Sequence, residues 1–112
     1  MNYTLRSGFI EPEKTERGYK ILASTTTVIS GDRVFEIETG ISIDLPKDYI
    51  GYLVHNKTRD IIVTNIVNSS DEIILNLKNL GRSAYSFNRG DELAELIFIK
   101  VQPDTLTKVI HF

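Results

Sequence analysis

A chain of 112 residues with 41% hydrophobic and 25% charged side chains has the balance of one compact domain, burying roughly two thirds of the surface its unfolded form would expose. Its 13 Lys and Arg against 15 Asp and Glu are spread without long runs, which argues against a nucleic-acid polymer as partner and against a polybasic membrane anchor. Cysteine is absent, so disulfides, thiolate zinc sites and cysteine nucleophiles are excluded and an intracellular compartment is permitted.

The opening "MNYTLRSGF" has no apolar core of signal-peptide length, and no stretch approaches the roughly 18 apolar residues of a spanning helix. The expectation is a soluble, intracellular protein with no membrane partner. Asn2, Asn56 and Asn68 each open an Asn-x-Ser/Thr triplet, which without a secretion signal reads as a chance match.

In chain order, residues 1–16 carry Glu11, Pro12, Glu13 and Lys14 and read as partly irregular. "GYKILASTTTVISGDR" is rich in β-branched residues and ends in a Ser-Gly-Asp turn signal, which predicts one or two strands closing in a hairpin. In "FEIETGISIDL", Phe35, Ile37, Thr39, Ile41, Ile43 and Leu45 share one parity and Glu36, Glu38, Ser42 and Asp44 the other, the mark of a strand with one dry face. Pro46-Lys47-Asp48 then turns the chain into "YIGYLVHN". "DIIVTNIV", the polar "NSSD" and the alternating "EIILNLKN" predict a β-hairpin. "LGRSAYSFNRGD" is a turn-rich connection into the apolar run "LAELIFIKV", where β-branched residues favour strand over a short helix at "DELAEL". Residues 102–112 read as a short C-terminal strand or tail. Short strands at close spacing without repeats or linkers make residues 1–112 a single all-β sandwich or barrel-like domain.

His55 and His111 are the only histidines, and neither has a second His or Cys at metal-ligand spacing. No G-x-S-x-G elbow and no glycine-rich phosphate cradle occurs. The remaining chemistry lies in carboxylates: Asp71 and Glu72 in the predicted hairpin, Asp91, Glu92 and Glu95 around the last strand. Acids at turns more often solvate an edge than hold a cation, and Asp91 is expected to fix the Gly90 turn. Tyr19, Tyr49, Tyr52 and Phe98 are expected in the core or an interface.

From about Gly18 to Val101 the order of motifs resembles the trimeric dUTPase family, all-β nucleotide hydrolases related also to dCTP deaminases. "ERGYKILAS" resembles that family's first motif, A-G-Y-D-L-x-A. "ETGISIDLPKDYIGYL" is similar to its T-G-[LIV]-x-[LIV]-x-[LIV]-P-x-G-[YF]-x-G segment, "DEIILNLKN" to the strand after the third motif, and "RGDELAELIF" to the fourth, G-D-R-I-A-Q-L-I. The resemblance implies a dUTPase-like distorted β-barrel or jelly-roll-like sandwich, assembled as a homotrimer with clefts between subunits.

The framework residues match better than the reactive ones. Where the first motif has the Asp that organises magnesium, this chain has Lys20, which repels a cation. The second motif, R-S-G-L-A, falls on "NKTRD", placing Asn56 at the Arg and Lys57 at the phosphate-contacting Ser. Counting back from Glu72 and Ile73, the third motif's general-base Asp falls at Ile66 and its sugar-stacking Tyr at Ser69. A one-residue slip offers Asn65, an amide that cannot take water's proton. In the fourth motif Glu92 and Glu95 replace Arg and Gln, and no Gly-rich lid follows "QPDTLTKVIHF".

The resemblance thus implies a catalytically inactive relative, of the kind some viruses or phages encode, that holds a host protein or a nucleotide-like ligand. Lys20 and Lys57 are the candidate anion contacts, with Asn56, Asn65, Asn68 and Ser69 as further ligand-binding candidates and no cofactor expected. The alternative is a divergent nucleotide pyrophosphatase or deaminase relative, for which Mg2+ would be required. The C-terminal Ile110-His111-Phe112 has the form of a PDZ ligand, although packing as a strand is the simpler expectation.

Overall fold

The computed structural model describes residues 1–102 and 106–110, and among them all regular structure is β. Ten strands form three sheets: β1 (Tyr3–Leu5), β2 (Glu13–Lys14), β3 (Gly18–Leu22), β4 (Thr27–Ile29), β5 (Val34–Ile43), β6 (Tyr49–Val54), β7 (Ile61–Val63), β8 (Glu72–Asn79), β9 (Tyr85–Phe87) and β10 (Glu92–Lys100). Sheet A runs β1-β5-β8-β7, sheet B runs β2-β3-β10-β6, and β4 pairs with β9 in a two-stranded ribbon. All pairings are antiparallel.

Alternation dictates these faces. In β8, Ile73, Leu75, Leu77 and Asn79 are buried while Ile74, Asn76 and Lys78 are only partly covered. The inward set meets Ile21, Leu53 and Leu96 of sheet B and Ile29 and Phe87 of the ribbon in one core cluster.

β5 keeps its parity through an irregularity. Glu38 lies opposite Ile74 and Ser42 opposite Glu72, so Thr39, Gly40 and Ile41 together face Ile73. Because the excess is two residues, Ile41 and Ile43 still point inward. Thr39 satisfies the distorted backbone: its Oγ1 donates to the Ile73 carbonyl at 2.7 Å and accepts from the Ile41 amide at 3.1 Å. Gly40 has φ 70°, and a Cβ there would lie 2.3 Å from the Phe9 ring. The same N-terminal segment carries Arg6, which stacks over Phe9 and pairs with Glu38 and Glu72, tying the start of β8 to β1.

β10 shifts by one residue between Glu92 and Ala94, leaving Leu93 unopposed on β3. Leu93 and Ala94 are both buried as a result, which explains why "LAELI" lacks alternation. From Glu92 onward the "DELAEL" stretch is strand, as its β-branched continuation implies.

The predicted hairpin over "GYKILASTTTVISGDR" is not formed. β3 pairs with β2 and β10, and β4 with β9. At the end of β3, Ala23 exchanges backbone hydrogen bonds with the Asn88–Asp91 turn, donating to the Asp91 carbonyl and accepting from Gly90. That capture diverts the chain to another layer before it can fold back. Asp91 holds this turn, its Oδ2 accepting from the Asn88 amide at 2.7 Å. Residues 1–16 contain β1 and β2, with irregular chain between them. Residues 106–110 form no strand and expose Leu106, Val109 and Ile110, while His111 and Phe112 lie outside the described residues.

The end of β4 and the 80–84 loop converge on the Asn79 side chain, which is 1% exposed. Its Nδ2 donates to the carbonyls of Ile29 (3.0 Å) and Ser83 (2.9 Å), and its Oδ1 accepts from the Gly81 amide (2.9 Å). Asn79→Ala leaves the Ile29 carbonyl buried without this partner and releases the part-buried Ser83 and Gly81 groups. It is expected to cost roughly 2–3 kcal/mol, read as a lower urea midpoint at unchanged slope.

Candidate functional site

β7 ends at Val63, yet pairing with β8 continues by other means. The Thr64 amide donates to the Asn76 carbonyl at 2.8 Å. The Asn65 side chain then supplies the next rung: its Oδ1 accepts from the Asn76 amide at 2.9 Å and its Nδ2 donates to the Ile74 carbonyl at 2.6 Å. Because an amide side chain replaces the main chain in the ladder, the backbone after Thr64 is free to leave the sheet.

It is pinned again two residues later. Val67 is buried and exchanges two backbone hydrogen bonds with Gly51, at 2.7 and 2.8 Å. A Cβ on Gly51 would lie 2.8 Å from Val67 Cβ and 2.7 Å from Leu96 Cδ1, so the approach requires glycine. Between the pinned loop and β8 lies a cleft of about 260 Å³. Asn65, Asn68, Ser69 and Asp71 line it, together with Ile66, which is 45% exposed. The Ser69 hydroxyl accepts from the Asp71 amide at 3.3 Å, closing a turn. The stretch that resembles the third motif therefore lines a concavity with polar walls.

A second polar group gathers around Glu95 on β10. This carboxylate is buried, with 6% exposure. It accepts from Thr15 Oγ1 at 2.7 Å, from Arg17 in an ion pair and from Asn56 Nδ2 at 3.1 Å. Thr15 is itself fixed by the turn it makes with Gly18, whose amide donates to Thr15 Oγ1 at 3.0 Å. The Thr15 hydroxyl bond holds the Glu95 carboxyl below the usual carboxylate range; burial opposes this, and Arg17 and Asn56 reinforce it. Lys20 lies directly opposite Glu95 in the β3–β10 register and approaches Glu92 at 3.7 Å.

Lys20, Asn56 and Glu95, from the first, second and fourth motif-like stretches, thus meet at one place. Lys57 is exposed in a shallow depression beside His55, Arg59 and Ile62. Asn65, Asn68 and Ser69 lie in the separate cleft, which shares no lining residue with that depression. Thr15 and Arg17 were not singled out by sequence; both precede the Gly18–Tyr19 pair of the first motif, and the charge of Arg17 immediately before it was the available signal. Asp71, assigned by motif counting to the framework, lines the cleft.

The Glu95 group does not suit a divalent cation. Three hydrogen-bond donors occupy its oxygens and a Lys stands opposite, so a metal would have to displace donors while facing like charge. No cluster of three or more metal-ligating side chains occurs among the described residues.

No family model matches the chain, and no curated protein matches it. Solved structures do. A point mutant of the dUTPase of Staphylococcus bacteriophage 80alpha, with dUpNHpp, is similar at TM-score 0.83 and 17% identity, over 99% of this chain and 96% of that one. The dUTPase of phage phi11 of S. aureus gives TM-score 0.81 at 20% identity over 99% and 96%. A mutant of the phi11 enzyme, described with a structural Mg(II) ion, gives 0.80 at 18% over 99% and 97%. At such identities the likeness establishes architecture alone, and the architecture is the dUTPase-like, jelly-roll-like all-β fold.

Proposed function

We propose that this chain is a non-catalytic dUTPase-like binding protein of phage or viral type, holding a nucleotide-like ligand or a host protein at clefts between the subunits of a homotrimer. The observation that carries this reading is the 65–71 loop. It is stitched to β8 and to Gly51 around a cleft, yet presents an aliphatic side chain, Ile66, where the resemblance puts the general base. Backbone groups and the Asn68 and Ser69 side chains read the ligand there, while Lys57 and Lys20, which lie outside that cleft within one chain, offer positive charge to its anionic part from a neighbouring subunit. Asn65 and Asn56 act by shaping these places, since their amides are engaged internally.

The homotrimer is supported by an apolar outer face on sheet B. Tyr52 opposes Ile97 and Ile50 opposes Ile99 across β6 and β10, with Tyr52 and Ile99 exposed. Sedimentation equilibrium is expected to give three times the 12.7 kDa chain mass, and a single-chain mass would remove the inter-subunit cleft.

The second reading is a divergent dUTPase-type pyrophosphatase or dCTP deaminase relative. Asp71 favours it, because its carboxylate lines the same cleft. A panel of deoxynucleoside mono- and triphosphates separates the two. On the binding reading one of them raises stability by about 2.7 kcal/mol at a hundredfold excess over its Kd, without release of pyrophosphate or ammonia. No stabilisation by any nucleotide would discard the nucleotide ligand; pyrophosphate release abolished by Asp71→Asn would establish the enzyme.

The Glu95 group behaves as a ligand-like anion supplied by the protein itself. Its folded-state pKa is depressed, so its contribution to stability is full above the unfolded carboxylate value, about 4.3, and is lost as pH falls through the folded value. Glu95→Gln should therefore be less stable than the unmodified protein at pH 7, and the gap in urea-unfolding free energy should close as pH is lowered towards 3.

A further inference from the structure

Residues directly opposite one another in an antiparallel sheet point to the same side. Val34 opposes Lys78, and Lys78 opposes Ile62, so these three side chains form one row across β5, β8 and β7 on the outer face of sheet A. Val34 is 55% and Ile62 40% exposed. The row ends where three loops converge. The Leu80 amide donates to the Asp60 carbonyl at 2.6 Å, the Asp32 amide to the Asn79 carbonyl at 2.9 Å, and Gly31 packs against the Arg82 carbonyl. Leu80, 49% exposed, adds a third aliphatic side chain.

Charge is concentrated at this end. Arg33, Lys57, Arg59, Lys78 and Arg82 all belong to the row or its loops, and none lies within 4.0 Å of a carboxylate among the described residues. Elsewhere Arg6, Arg17, Lys20 and Lys100 are paired with acids, and Lys14, Lys47, Arg89 and Lys108, without such a pair among the described residues, are scattered rather than gathered at one end. The acids of these loops are Asp32 and Asp60, so the end is cationic in a chain whose formal charge is −2. Lys57, Arg59 and Ile62 line one depression, which makes the aliphatic row and the cationic rim continuous.

We propose that this end of sheet A docks an acidic protein segment bearing aliphatic side chains, seated on Val34, Lys78 and Ile62 and gripped by Arg33, Arg59 and Arg82. Charge complementarity selects the partner's sign, and the exposed aliphatics supply the apolar centre that a polar rim surrounds in protein interfaces. A protein fits better than a nucleic acid: the row offers aliphatic side chains and no aromatic platform for bases, and the net negative charge of the rest of the chain repels a long polyanion. The surface shares no lining residue with the 65–71 cleft. Its grip on Val34, Lys78, Ile62, Arg33, Arg59 and Arg82 does not use Lys57, the one rim residue also proposed as a nucleotide contact, so it stands whether or not that cleft takes a nucleotide.

The test uses the full chain and a fluorescent twelve-residue peptide of alternating Glu and Leu, followed by anisotropy in low salt. Binding is expected, with amide shifts at Ile62, Lys78 and Leu80, and should weaken on the order of tenfold or more in a Lys78→Glu, Arg82→Glu double variant. Lys47→Glu, at an exposed turn elsewhere, should leave it unchanged. Unaltered thermal unfolding and nucleotide response of the double variant would show that fold and cleft are intact, so failure here is distinguishable from failure of the ligand reading. The proposal is overturned if the peptide does not bind, if the double variant binds it equally, if a twelve-nucleotide oligothymidine binds as tightly, or if the double variant changes the oligomeric state and so reveals a second copy as occupant.

Discussion

The pairing of β5 with β8 is the constraint on which the rest of the molecule depends. It runs from Val34 opposite Lys78 to Ser42 opposite Glu72 and places five features on one frame. At one end it sets the Asn79 knot and the cationic loops; at the other it sets the Thr39–Ile41 irregularity and the Arg6 tie. Between them, β8 offers the Ile74 and Asn76 backbone groups that Asn65 captures. A one-residue slip in this register would turn Leu75 and Leu77 to solvent and dismantle the cleft together with the core. The hydrophobic pattern therefore specifies the site as well as the fold.

Most of the architecture is legible in the residues. "EIILNLKN" and "FEIETGISIDL" declare their faces by alternation; the expected face of the first is buried, and that of the second is buried from Thr39 to Ile43 but leaves Phe35 39% exposed at its start. Partners are less legible, because β propensity describes a strand and says nothing of its neighbour. "GYKILASTTTVISGDR" has the composition of a hairpin, yet β3 and β4 part company because the Asn88–Asp91 turn, more than sixty residues away in sequence, binds the chain at Ala23. Non-local hydrogen bonds of that kind leave no local trace.

The candidate site shows the same division. The third-motif stretch is recognisable as a loop between strands, but nothing in "TNIVNSSD" announces that Asn65 serves as a rung of the ladder or that Val67 is an anchor. Thr15 precedes the recognisable pattern, Arg17 stands at its first position, and both acquire their role only through the three-dimensional approach of β10. Motif counting located Lys20, Asn56 and Glu95 separately. Their convergence follows from β3 and β6 flanking β10 on either side, which is a property of sheet order and not of spacing.

The buried Glu95 carboxylate has a consequence for how this fold exists without an occupant. In a pocket lined by donors and built for an anionic guest, the empty state leaves cations and amide groups facing one another, and the guest is part of what holds the walls in place. Here Arg17, Thr15 and Asn56 already have their counter-charge on the same polypeptide. The walls are self-neutralised, so this corner of the molecule is complete at synthesis and its shape does not wait on the supply of any metabolite.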